Sequence, residues 1–467
     1  MVKYLCEKHF FRVSHTKEFF MRQKIDLLNG PVFSSLTKLA LPIMATSLVQ
    51  MAYNLTDMIW IGRISSDAVA SVGAAGMYMW FANGIASLAK MGGQVKVGHA
   101  LGAREDEEAV SYARNAIQLA LFFGLLYGFL SIVFQVPLIG FFRLNSPAVI
   151  KDAQVYLAVT CGLVVFSFLN QVLTGILTAM GNSRTSLLAT ATGLIINIVL
   201  DPVLIFGVGP FPHLGVLGAA IATVFAQAVV TCMFILAVKN EPEIFLRLHL
   251  LTRPSLSAIQ EIIRIGLPSS LQNMLFTAIS MIIARMVAGF GDAAVAVQKV
   301  GSQIESISWM TSDGFAAAVN SFIAQNFGAG NLSRARKGYQ KSMVVVLLWG
   351  AFCTFVLIVF PEPIFRIFIP EADILPMGVD YLRILGVSQL FMCMEITTAG
   401  AFAGLGKTLP PSIVSITLNC ARIPLAFALI STPLGLNGIW WSITISSIFK
   451  GIVLVLVYQI RWKKQAG

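Results

Sequence analysis

Long apolar runs alternate with short polar turns along this chain, and the runs have the length that a lipid bilayer demands. A membrane-crossing helix needs about 20 apolar residues. Runs of that kind cover 36–61, 68–95, 110–134, 153–177, 184–206 and 216–238. A more polar stretch follows over 239–260, holding Lys239, Glu241, Pro242, Glu243, Arg247, Arg253 and Pro254. Six further runs cover 262–288, 293–322, 342–361, 379–403, 410–431 and 436–459. The pattern predicts an all-α integral membrane protein with twelve transmembrane helices. It also predicts a domain order: an N-terminal tail over 1–35, a lobe of spans 1–6 over 36–238 and a linker over 239–260. A lobe of spans 7–12 over 261–459 and a tail over 460–467 complete the chain.

Composition strengthens this reading. The 467 residues are 57% hydrophobic and 12% charged, with a mean hydropathy of +0.79. Soluble chains carry about 25% charged residues, so this one lacks the polar side chains to cover a water-facing surface. These figures argue against a soluble enzyme, a disulfide scaffold and a disordered chain. The six cysteines lie far apart with no CxxC pair, mostly inside apolar runs, where Cys acts as a small hydrophobe. The residues before the first run are polar and basic, so no cleavable signal is expected, and Met21 is an alternative start.

Charge orients the spans. An even number of crossings puts both ends on one side. On that side fall the basic tails, the loop near His99, the central linker and the loop holding Arg334, Arg336, Lys337 and Lys341. The other side holds only Arg63, Arg143, Lys151 and Arg366. Positive charge concentrates in the cytoplasm, so both termini are expected inside a cell (plasma) membrane. The net charge of +11 then reflects an anionic inner leaflet, with no nucleic-acid partner. A monomer is expected.

The two halves repeat. Leu41-Pro42 recurs as Leu267-Pro268, Ala68-Val69-Ala70 as Ala294-Val295-Ala296, and Leu101-Gly102-Ala103 as Phe327-Gly328-Ala329, all at a shift of 226. Ala179-Met180-Gly181-Asn182 matches Gly404-Leu405-Gly406-Lys407 at 225, and Gly215-Val216-Leu217-Gly218 matches Gly435-Leu436-Asn437-Gly438 at 220. Six spans per half is even, so the repeats are parallel and related by an axis along the membrane normal. That arrangement suits a central cavity whose walls rock against each other.

Carboxylates inside lipid cost about 2.5–3.5 kcal/mol or more each, so each one is a functional candidate. Asp57 lies near the outer end of span 1 and Asp201 near the outer end of span 5. Both lie roughly 7–9 Å below the outer boundary, an equal depth that lets them share a site. Asn197 is one helical turn before Asp201, on the same face. Pro202 leaves the carbonyl of Ile198 without its helical partner. These oxygens suit a proton or Na⁺; the plainer reading is that both aspartates snorkel or cap at the interface. The second half does not repeat the set: Arg422 stands where Asn197 would recur, Ala426 for Asp201 and Ile283 for Asp57. It has instead Glu305 in span 8 and Glu395 in span 10, as substrate contacts or as partners of Arg422 or Lys299. Arg422 is expected to be structural, with Glu305 as its first partner and Glu395 as its second.

Several of these stretches resemble the signatures of multidrug and toxic compound extrusion (MATE) transporters. They are Leu41-Pro42, Tyr53-Asn54-Leu55-Thr56-Asp57 with Ile61-Gly62, Ala100-Leu101-Gly102-Ala103, Asn197 to Pro202 and Gly215 to Ala220. The resemblance runs from about residue 30 to 460 and is nearest to the prokaryotic branch of the DNA-damage-inducible protein F. It implies multidrug efflux by cation antiport with alternating access, and a cation site in the first half at the positions of Asp57, Asn197 and Asp201. Thr223 on span 6 is a further candidate. Amphipathic, often cationic, small molecules would be the substrates, and H⁺ or Na⁺ the coupling ion, with no other cofactor. The alternative is a flippase of lipid-linked oligosaccharide or a related amphiphile. It would need several intramembrane arginines to hold pyrophosphate, and only Arg285 and Arg422 lie inside spans.

Two features are decoys. Gly400 and Gly406-Lys407-Thr408 suggest a phosphate loop, but its spacing needs glycine at position 401, where Ala401 stands, and no strand precedes it. The five histidines lack metal-ligand spacing. No catalytic constellation is present, so an ion-driven transporter is expected rather than an enzyme.

Overall fold

A computed structural model describes residues 25–142, 146–207, 209, 212–238, 248–250, 252–369 and 371–466. Arg143, the tail through residue 24 with Met21, and linker residues 239–247 lie outside the described residues. The first half contains α1 (Val32–Gly62), α2 (Ser66–Ala103), α3 (Asp106–Val133), the short α4 (Gln135–Gly140), α5 (Pro147–Thr160), α6 (Val165–Ala179), α7 (Ser183–Phe206) and α8 (Val216–Val238). The second half contains α9 (Leu256–Ala288), α10 (Asp292–Gly328), α11 (Leu332–Val359), the short α12 (Pro361–Arg366), α13 (Leu375–Gly386), α14 (Gln389–Gly404), α15 (Leu409–Cys420), α16 (Arg422–Ile430) and α17 (Leu436–Ala466). The described residues contain no strand.

Each expected span has its helical element, so the protein is an all-α membrane protein of twelve transmembrane elements in two six-helix repeats. Seven single helices, and α15 with α16 taken together, are long and apolar enough to cross a membrane, and the bent pairs α5–α6 and α13–α14 bring the number to ten among the described residues. The other two, α2 and α10, are the longest at 38 and 37 residues and carry more polar side chains. Three expected spans are broken. The pairs α5–α6 and α13–α14 each bend by 45°, and α15 gives way to α16 at Ala421. Only the last of these is announced in the sequence, by Pro424, which cannot donate to the carbonyl of Cys420; through the other two the apolar runs read alike whether straight or bent. α9 begins at Leu256, inside the stretch expected as linker.

The duplication extends to fine detail. The short helices α4 and α12 recur, as do both bends. Left-handed backbone occurs at Arg104 and Gly330, at Gly181 and Gly406, and at Gly215 and Gly435, pairs that follow the sequence shifts. Phe122, Leu126, Phe129 and Val133 form an exposed apolar stripe on α3, and Leu348, Phe352, Phe355 and Val359 form its counterpart on α11. Covering such a side chain is worth about 1.5–3 kcal/mol, and in a bilayer the acyl chains provide that cover.

By packing, residues 49–263 with 25–30 form one compact unit, and residues 264–466 with 31–48 form another. The boundaries therefore fall inside α1 and α9 rather than in the polar stretch between the halves. Within the first unit the reason is visible: Ile262 belongs to its apolar core. Gln118 Nε2 donates to the carbonyls of Leu250 at 2.8 Å and Thr252 at 2.9 Å, and Asn115 Oδ1 accepts from Ser255 N at 2.9 Å. Lys96 and Tyr112 both reach Glu261. These bonds tie the start of α9 to the first unit.

Candidate cation site and second-half polar network

In the first unit, the apolar faces of α7 and α8 seat a small polar group. Asn197 and Asp201 are fully buried on α7, and Asn197 Nδ2 donates to Asp201 Oδ1 at 3.1 Å, the one-turn pairing expected of residues four apart. Asp57 on α1 lies within electrostatic reach of Asp201, Tyr53 and Tyr156. Tyr53, one turn before Asp57, donates to Thr223 Oγ1 at 3.2 Å. The structure thus gathers all four first-half candidates in one unit. It adds Tyr53, quoted in the sequence only as part of a signature, and Tyr156; the turn spacing of Tyr53 and Asp57 was the available signal for the first.

The oxygens are more informative than the hydrogen bonds. Asp57 Oδ1, Asn197 Oδ1 and Asp201 Oδ2 are buried and accept from no donor among the described residues. A buried acceptor without a donor costs about 1–3 kcal/mol, more if charged. Three such atoms, two of them carboxylate, supply hard oxygen ligands and negative charge to a small cation.

The second unit holds a different network. Glu395 on α14 is buried and meets Lys450 on α17, with Nζ to Oε2 at 2.9 Å; Ser415 Oγ donates to its other oxygen at 2.6 Å. Glu305 accepts from Tyr381 Oη at 3.2 Å and from Gln389 Nε2 at 3.3 Å. Arg422 donates through Nε to Ser446 Oγ at 2.6 Å and through Nη2 to Ser447 Oγ at 3.1 Å. These contacts correct the expected Arg422–Glu305 pair, because Arg422 has no carboxylate within 4.0 Å among the described residues. The physical reason lies in helix rotation. Glu305 is turned toward α13 and α14, whereas Arg422 is turned toward α17. Lys450 was the unrecognised partner, although a lysine inside an apolar span itself points to a carboxylate nearby.

Comparison with known proteins agrees with the fold and the repeat. The MatE family model matches residues 42–203 and again 268–428, one copy per half. A probable multidrug resistance protein, NorM of Thermotoga maritima, is 31% identical over 435 residues, covering 92% of this chain and 93% of its own. An FAD transporter of Shewanella oneidensis is 25% identical over 451 residues, covering 94% and 97%. The solved structure of a MOP superfamily transporter from Pyrococcus furiosus superposes with a TM-score of 0.88 at 24% identity, covering 95% of this chain and 99% of its own. Two family-model matches at the register of the internal repeat, on a twelve-element duplicated frame, place this chain in the MatE family of membrane transporters.

Proposed function

We propose that this protein is a secondary antiporter that exports amphipathic, often cationic, small molecules in exchange for H⁺ or Na⁺. The coupling ion binds in the first half at Asp57, Asn197 and Asp201, with Thr223 holding Tyr53 beside them. One observation carries the reading: three buried acceptor oxygens on these residues lack a donor among the described residues, a cost that a bound cation removes. The names of relatives agree with export, as in the probable multidrug resistance protein of Thermotoga maritima. The relative named as an FAD transporter has a cargo rich in phosphate, so positive cargo charge is not common to the relatives. The protein works as a monomer in the plasma membrane with both termini cytoplasmic, the side on which its basic loops gather.

The test is flux in proteoliposomes. Ethidium efflux driven by an imposed proton or Na⁺ gradient is expected in the wild type. It should fall to the protein-free level in Asp57→Asn and in Asp201→Asn at normal folded yield. Gradient-driven efflux at the wild-type rate in either variant would overturn the shared site. The flippase alternative requires transport without any ion gradient, which the same vesicles measure.

A further inference from the structure

We propose that Arg422 receives an anionic group, a carboxylate or a phosphate, on the transported amphiphile. The proposal deepens the transport reading by giving a substrate class, and it rests on that reading for the word transported. Four ionisable groups of the second unit bear on it: Glu305, Glu395, Lys450 and Arg422. Glu395 and Lys450 neutralise each other at 2.9 Å. Glu305 is held by neutral donors, Tyr381 and Gln389. Arg422 is held only by neutral acceptors, Ser446 and Ser447.

Both glutamates lie within electrostatic reach of Arg422, yet neither touches it. A guanidinium that served only to stabilise the fold would form a contact pair with one of them, since burying an ion without one is costly. Arg422 is 94% withdrawn from solvent, at 6% exposure, and it carries a permanent charge. Its fork has five N–H donors. The two serine contacts use one on Nε and one on Nη2, and the remaining donors meet no acceptor among the described residues. The serines fix the plane of the fork and leave the rest of it for a planar or tetrahedral oxyanion, the partners that arginine binds with two parallel bonds.

The surroundings suit an aromatic amphiphile. The guanidinium lies over the Phe276 ring, 5.8 Å from its centre, and Phe276 is 46% exposed. The backbone is adapted to the same place. Arg422 opens α16 immediately after the break at Ala421, and Pro424, two residues on in the same turn, supplies no N–H. The corresponding position of the first half is Asn197, a neutral residue within the candidate cation site. The two halves therefore present opposite preferences at the same place in the repeat.

Equilibrium binding to the purified full-length protein in detergent, without any ion gradient, tests this with two matched pairs. Flavin mononucleotide and riboflavin differ by a phosphate; flumequine, a fluoroquinolone without a basic amine, and its methyl ester differ by a carboxylate. The wild type is expected to bind the anionic member of at least one pair tenfold or more tighter than its neutral twin, and the pair that responds names the anion. Arg422→Gln should bring that member to the affinity of its twin while the twin stays within twofold. Ser446→Ala keeps the charge but frees Nε, and should weaken only the anionic member, by threefold or more. This variant serves if Arg422→Gln does not fold. The proposal is overturned if the wild type prefers neither anion, if the preference survives in the variant, or if both twins weaken equally. Because binding is read without a gradient, failure of antiport in vesicles leaves this result standing, and the reverse also holds.

Discussion

Lys450 and Glu395 form a buried ion pair at 2.9 Å between α17 and α14, and Ser415 of α15 completes the carboxylate's shell. Three helices of the second unit are thereby joined at one point deep in apolar surroundings. Removing one member of such a pair leaves the other charged and alone, a loss of about 3–5 kcal/mol, whereas removing both can be neutral. Lys450→Met should lower the melting temperature sharply, and Lys450→Met with Glu395→Gln should recover more than half of the loss. Additive losses in the double variant would show that the two side chains do not depend on each other.

The first half should show the opposite sign at its aspartates. Asp201 accepts one bond from Asn197, and its other oxygen has no donor among the described residues. At pH 8 without Na⁺ the carboxylate costs stability, so Asp201→Asn should melt higher than the wild type by an amount equivalent to about 1–3 kcal/mol. Adding the coupling ion stabilises only the protein that binds it. The gap should therefore close either with Na⁺ at constant ionic strength or on lowering the pH. Closure by Na⁺ at constant pH shows that this carboxylate binds Na⁺, and closure only on lowering the pH shows that it takes up a proton. A variant that melts lower than the wild type under all conditions would point to a structural aspartate.

Close helix approach sets a third expectation. A Cβ on Gly218 would lie 2.5 Å from the carbonyl oxygen of Leu204, and one on Gly438 would lie 2.7 Å from that of Leu429. The two contacts occupy the same place in the repeat. Backbone cannot rotate away as a side chain does, so Gly218→Ala and Gly438→Ala should each destabilise by about 1–3 kcal/mol. Gly73 on α2 has open space where its Cβ would stand. Gly73→Ala should then be neutral or stabilising by up to about 1 kcal/mol. Thermal melts of the three variants decide, and equal behaviour would remove close approach as the explanation.

Much of this protein is written into its one-dimensional pattern. Lipid requires apolar segments with their backbone bonds satisfied within the segment, so run length marked most of the elements, and the repeat supplied the more polar α2 and α10. Duplication was legible because Pro42 and Pro268, or Gly218 and Gly438, do the same work in each half. Asp57, Asn197 and Asp201 stood out because polar groups in apolar runs are costly and few. The tertiary structure decided which side chains meet. Arg422, Glu305, Glu395 and Lys450 were all visible as buried charges, but their pairing depends on helix rotation and depth, and a side-chain period fixes neither across different helices. The bends after α5 and α13 were hidden for a related reason. They fall at Gly162 and Gly386 inside apolar runs, where a single glycine does not mark a break, whereas the break after α15 was legible in Pro424.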